Sequence, residues 1–197
     1  MIQTKPKLVL MAGFGGSGKT TLAHALGSQL KWPVLDKDII KTGIIYTYRG
    51  IPIEQASLVA YELLFALAKD VLIRQQLSII LDTSAVFPAV IEAASELVQI
   101  ADTQMKIIFC KANSHIRRAR LQRRNTQDGG KRQLLIDLAT VDEDNWQYFD
   151  HLPLEHLIEL DTSRPFEEYL QRALSFLQEE RPGLCPLDAI HQSLFDL

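Results

Sequence analysis

Eight consecutive residues, Gly13-Phe14-Gly15-Gly16-Ser17-Gly18-Lys19-Thr20, fit the pattern G-x-x-x-x-G-K-[ST]. Glycines let backbone N–H groups converge on one point, and a helix that starts at the end of such a loop adds the positive end of its dipole. The segment is therefore suited to phosphate. Gly13, Gly15, Gly16, Ser17, Gly18 and Thr21 would line the cradle, Lys19 would neutralise β- and γ-phosphate charge, and the Thr20 hydroxyl would be a magnesium ligand.

Carboxylates and guanidiniums follow at places where such a loop could use them. Asp36 and Asp38 come after the short apolar piece Pro33-Val34-Leu35, and in an extended segment residues two apart point the same way. A carboxylate there can hold magnesium through water or accept the proton of an attacking hydroxyl; either aspartate could instead cap the next helix. Asp82 ends the apolar run Leu77 to Leu81, with the same two readings open. Arg117, Arg120 and Arg124 fall at i, i+3 and i+7, so one helix face presents three rigid forks, with Arg118 and Arg123 to either side. Such a face suits the charge that spreads over a transferring phosphoryl group, and a solvated basic surface is the competing reading.

The elements that must position these residues read as strand then helix, five times over. Strands are expected at Lys7 to Ala12, Pro33 to Leu35, Leu77 to Leu81, Met105 to Cys110 and His156 to Leu160. Helices are expected from Leu22 to Leu30, Ile51 to Ile73, Phe87 to Ile100, Ser114 to Asn125, and after Pro165 to about Glu179. Alternation with near-continuous apolar strands implies an α/β fold in three layers, a parallel sheet with helices on both faces. Ligands of such sheets bind beyond the carboxyl ends of the strands. That places Gly13 to Thr21, Asp36 to Asp38, Asp82 to Ser84, the stretch after Cys110 and Asp161 to Arg164 on one rim.

GFGGSGKTTLA, VLDKDIIK, IILDTS, RRARLQRRN and LDTSRP together resemble the P-loop kinases that include zeta-toxin kinases, chloramphenicol phosphotransferase, shikimate and gluconate kinases and the kinase domain of polynucleotide 5′-kinase. The likeness spans roughly residues 7 to 180, and only the first motif is specific alone. It implies a P-loop NTPase fold with strand order 2-3-1-4-5, a basic lid at about 111–132, and transfer of the ATP γ-phosphoryl group to a hydroxyl. By the same resemblance Asp36 is the favoured base or magnesium-linked acid, Asp38 a ligand of the substrate hydroxyl and Asp82 a further site acid. Arg120 and Arg124 match the family's Arg-Leu-x-x-Arg, Ser163 and Arg164 lie where it packs adenine, and Tyr48 and Arg49 lie where it builds the acceptor pocket.

Composition narrows the function. The 197 residues suit a single domain, with residues 182–197 as a tail, and at 47% hydrophobic and 23% charged they are of globular type. No apolar run approaches the roughly 20 residues that span a bilayer, so a cytoplasmic protein without a membrane partner is expected. Cys110 and Cys185 have no metal or redox spacing, and Cys110 ends an apolar run as a core residue would. The net charge of −3 is uneven: residues 111–132 carry +7 and the other 175 residues −10. An acidic body argues against a broad phosphate-backbone footprint, so a nucleic-acid 5′-hydroxyl acceptor is the second choice after a small-molecule hydroxyl. A slow nucleotide-hydrolysing switch or assembly protein is the third; the chain has neither Asp-x-x-Gly nor Asn-Lys-x-Asp.

Overall fold

Alternation along the first strand, β1 (Lys7–Ala12), sets the layers. Leu8, Leu10 and Ala12 join one buried cluster with Leu64, Ile79, Ala94 and Phe109, whereas Val9 and Met11 join another with Leu22, Leu26, Leu170 and Leu174. A strand apolar on both faces has to be covered on both, which is the reason for helices above and below. The computed structural model describes residues 5–127 and 145–179. In chain order these form β1, α1 (Lys19–Leu30), β2 (Val34–Asp36), α2 (Lys37–Thr47), α3 (Ile53–Lys69), β3 (Ile79–Asp82), α4 (Pro88–Ile100), β4 (Gln104–Lys111), α5 (Ser114–Gln127), β5 (Leu157–Asp161) and α6 (Phe166–Gln178). A single π turn, Asp70–Arg74, extends α3.

All strand pairs are parallel, in the order β2-β3-β1-β4-β5 that the resemblance implied. Helices α3 and α4 supply one face and α1 and α6 the other. The register of β2 on β3 sets Asp36 beside Asp82, which brings two carboxylates of distant sequence to adjacent strand ends, about 5 Å apart between backbones. At the opposite end of the sheet two lysines close the last turn of α6. Lys7 donates to the Leu177 carbonyl at 2.7 Å, and Lys106 donates to the Glu179 carbonyl at 3.2 Å. Cations there satisfy orphan carbonyls and complement the dipole, which accounts for both charges being buried.

Helix α2 departs from the expected pattern, which placed no helix between β2 and residue 51. Its sequence, KDIIKTGIIYT, is rich in β-branched residues and holds Gly43, both poor helix formers. What holds it is capping and packing. The Asp36 carboxylate accepts from the N–H groups of Asp38 (2.7 Å) and Ile39 (3.2 Å), and Ile44 packs on Ala56 and Ala60 of α3. Of the expected lid, α5 is described, whereas residues 128–132 and the tail 182–197 lie outside the described residues.

Candidate active site

The glycine loop joins β1 to α1 at the carboxyl edge of the sheet. Gly13, Gly16 and Gly18 have φ of 133°, 77° and 90°, a region that side chains resist. All three also leave room for neighbours, and a Cβ on Gly13 would collide with the Cys110 carbonyl oxygen. A Cβ on Gly16 would stand 2.6 Å from the Arg117 carbonyl oxygen, and one on Gly18 3.4 Å from Thr162 Oγ1. The Lys19 ammonium folds back over the loop and donates to the Phe14 carbonyl at 2.8 Å. Burial holds its pKa below the ordinary lysine value, against the opposing pull of Asp82 and Asp38. Ser17 Oγ is buried without a hydrogen-bond partner among the described residues. An orphaned hydroxyl and a weakly satisfied ammonium in a glycine cradle are groups that a polyphosphate would complete. Beneath the loop, burial raises the Cys110 thiol to about 12, which keeps it neutral and part of the core.

The three carboxylates have different partners. Asp82 is 5% exposed and accepts a hydrogen bond from the Thr20 side chain; burial pushes its pKa up, with Lys19 and Thr20 opposing. Asp36 is occupied as the N-cap of α2. Asp38, on the first turn of α2, keeps an exposed side chain within 2.9 Å of Lys37 Nζ. Partial desolvation raises its pKa, but Lys37, Lys41 and Lys19 outweigh this and hold it below the usual carboxylate range. A hydroxyl beside a lone carboxylate is a donor set for Mg²⁺, which takes its remaining ligands from phosphate oxygens and water rather than from a protein cage. Thr20 and Asp82 supply that pair, with Asp36 next to them in register.

The five arginines of α5 divide by partner. Arg117 is fully buried, its guanidinium 4.9 Å from the centre of the Phe14 ring and 5.6 Å from that of Trp146, and its Nε donates to the Ala112 carbonyl. Arg120 donates to the carbonyl of Gly16 at 3.3 Å, to Thr162 Oγ1 at 3.0 Å and to the Thr162 carbonyl at 2.6 Å, so it ties α5 to the glycine loop and to the loop after β5. Arg124 makes no hydrogen bond or ion pair among the described residues, yet lies close enough to Lys19 to depress its pKa. Arg118 and Arg123 are exposed. Ser163 and Arg164 sit on the rim but turn to acids of their own loop: Ser163 Oγ donates to Asp161, and Arg164 lies 3.8 Å from Asp161 and 3.5 Å from Glu168. Tyr48 and Arg49 follow the C-terminus of α2, whose 11 residues carry them about 16 Å from Asp36.

The bonding of Thr162, which the sequence placed only on the rim, and two further features lay outside the sequence reading. Thr162 is fully buried and donates to the Ser17 carbonyl at 2.7 Å, joining β5 to the glycine loop. A strap at residues 145–152 crosses the rim, with Trp146 and Phe149 within 5.0 Å of the Phe14 ring and His151 Nε2 3.1 Å from the Ala85 carbonyl oxygen. Lys37 and Lys41 flank Asp38. The lysine pair had a signal, Asp-x-x-Lys at one-turn spacing, but it shows only once α2 is taken as a helix. The strap had none, because aromatics spaced at 146 and 149 carry no address.

Comparison with known proteins decides the family. The family model described as AAA domain matches residues 8–147, most of the chain. The chain belongs to the AAA domain family. No curated protein matches this AAA-domain chain. Among solved structures it is similar to a candidate kinase from Chloroflexus aurantiacus, at 24% identity and a TM-score of 0.70 over 89% of this chain and all of the other. It is also similar to the APS kinase of Mycobacterium tuberculosis in complex with AMPPNP and APS, at 16% identity and a TM-score of 0.64 over 90% of this chain and all of that one. A gluconokinase from Sinorhizobium meliloti matches at 15% identity and a TM-score of 0.58, over 89% of this chain and 93% of the other. The AAA-domain chain thus has the fold of P-loop kinases, and among its described residues no helix is long and apolar enough to cross a membrane.

Proposed function

We propose that the protein is an ATP- and Mg²⁺-dependent phosphotransferase that moves the γ-phosphoryl group to a hydroxyl of a small molecule. The observation that carries this reading is the convergence on one rim of a glycine cradle, Lys19, the Thr20–Asp82 pair and Arg124, which is unpaired among the described residues. In this proposal Lys19 leaves the Phe14 carbonyl for the β- and γ-phosphates, and Ser17 and the loop amides complete the cradle. Thr20 and Asp82 would hold magnesium, which offsets phosphate charge when bound. Asp38, ionised and facing solvent, accepts the proton of the attacking hydroxyl. Asp36, the base favoured on sequence grounds, serves in this scheme as the cap that fixes α2 and aims Asp38. Arg124 stabilises charge on the transferring group, Arg120 holds the nucleotide-side loops together, and Ser163 and Arg164 border the adenine. Tyr48 and Arg49 take part only if the acceptor is long enough to run along α2.

The kinase folds among the solved neighbours support this reading, as does the capture of AMPPNP and APS by one of them. The test is ADP release from ATP and Mg²⁺ in the presence of pooled hydroxyl compounds, with the product identified by mass. Acceptor-dependent release that disappears in Lys19→Ala is expected. ATP hydrolysis indifferent to every acceptor would favour a nucleotide switch instead.

A further inference from the structure

At the start of α2 two ammoniums converge on one carboxylate oxygen. Lys37 Nζ lies 2.9 Å and Lys41 Nζ 4.0 Å from Asp38 Oδ1. The two lysines are not equivalent. Lys37 has Asp38 at bonding distance, and its ammonium stands 5.3 Å from the centre of the Tyr61 ring. Lys41 is 5% exposed, and its ammonium makes no hydrogen bond among the described residues; the contact with Asp38 is too long to be one. Its stem is covered while its charged end keeps contact with water, since its nitrogen is not among the buried atoms without a partner, so the ammonium is open to an incoming anion.

No other acid completes the pair. Lys41 is one turn before Ile44, which packs on Ala56 and Ala60 of α3, so the neighbouring helix presents methyl groups. The charges that act on Lys41 are Lys37, which opposes its protonation, and Asp38, which favours it; burial adds to the opposition. Lys37 is drawn by Asp36 as well as by Asp38, whereas Lys41 has Asp38 alone, the carboxylate that Lys19 also reaches. Lys41 is therefore the less satisfied cation of the cluster, and it stands beside the carboxylate that faces the acceptor in the proposed reaction.

We infer that Lys41, with Lys37 beside it, binds a small oxyanion, a phosphate or carboxylate group borne by the acceptor itself. This rests on the kinase reading for the word acceptor but not for the existence of the site. The helix sets the spacing. Lys41 lies three residues beyond Asp38, about 4.5 Å along the axis, so the bound anion and the hydroxyl facing Asp38 belong on carbons a few bonds apart. Anionic hydroxy compounds of that span are selected over neutral polyols and nucleosides, which bring no charge to the two ammoniums.

The test uses the full chain loaded with Mg²⁺ and a non-hydrolysable ATP analogue, so that the glycine loop is filled, titrated calorimetrically with inorganic phosphate and separately with acetate. Saturable binding of at least one anion is expected. It should weaken at least about tenfold in Lys41→Met, weaken in Lys37→Met, persist in Lys41→Arg, and be unchanged in Lys69→Met on the exposed side of α3. Analogue loading confirms that each variant is folded, and Lys37→Met alone suffices if Lys41→Met is not. Absence of saturable binding by either anion, or equal binding in Lys41→Met, overturns the inference. Phosphate bound in preference to acetate assigns a phosphorylated acceptor, and the reverse a carboxylated one. Turnover plays no part, so anion binding without any phosphoryl transfer would defeat the kinase reading alone.

Discussion

Partners, not residue types, separate the charged side chains of the rim. Arg120 and Arg124 are four residues apart on one helix face, yet Arg120 is spent on three oxygens of two loops whereas Arg124 is held by none among the described residues. Arg124→Ala should therefore lower kcat by about 10²- to 10³-fold with little change in thermal stability, while Arg120→Ala should lower stability and nucleotide affinity together. Steady-state kinetics beside thermal melts separates the two. Asp82 makes a pH prediction. Its folded pKa is raised, so the folded state binds a proton more tightly than the unfolded chain, and stability declines as pH rises from the ordinary value of 3.8 through the raised one. Asp82→Asn should therefore raise the neutral-pH melting temperature of the ligand-free protein and flatten that decline, while abolishing stabilisation by Mg²⁺ and nucleotide. A lower melting temperature at neutral pH would show that Asp82 is held ionised by Lys19 rather than strained by burial.

At the scale of elements, α2 is the piece whose existence depends on neighbours. Its cap is one side chain, so Asp36→Ala should cost about 1 kcal/mol in urea unfolding, and Asp36→Asn, which caps as well, should cost almost nothing. Under the proposed scheme Asp36→Asn also keeps phosphoryl transfer, and Asp38→Asn loses it by about 10²-fold or more. The opposite pattern returns the base to Asp36. The strap gives an optical test. The chain has two tryptophans, Trp32 and Trp146, and Trp146 lies 5.0 Å from the ring of Phe14, whose carbonyl holds Lys19 in the free protein. In Trp32→Phe, nucleotide binding should shift the emission of Trp146 as Lys19 leaves that carbonyl; unchanged emission at saturating nucleotide would show that the loop and the strap are uncoupled.

For the whole molecule the charge asymmetry takes on a different meaning. The basic segment is not one surface: Arg117 is buried among aromatics, Arg120 is a clamp, and Lys111 pairs with Glu159 at 2.8 Å. With three of the eight cations already spent and the rest of the chain acidic, a 5′-hydroxyl oligonucleotide should bind no tighter than about 10⁻⁴ M at physiological salt. Tight binding that weakens steeply with salt, read by fluorescence anisotropy, would bring the nucleic-acid acceptor back.

What the amino-acid sequence determined by itself is local or periodic. A strand, a glycine run and a helix start are consecutive, so the phosphate loop is legible as a string, and β1, β3 and β4 announce themselves by apolar runs that must be buried on both faces. The sheet order came through the family resemblance, which rests on those same strings. Only the tertiary structure decided which carboxylate meets Thr20, which arginine holds the two loops together, and that α2 is a helix. Each of those depends on partners far along the chain: Asp82 on Thr20 through adjacent strands, Arg120 on Thr162 after the neighbouring strand β5, and Ile44 of α2 on Ala56 and Ala60 of α3. A side chain's type fixes what it can bond, but its role follows from which bonds the fold has already made for it.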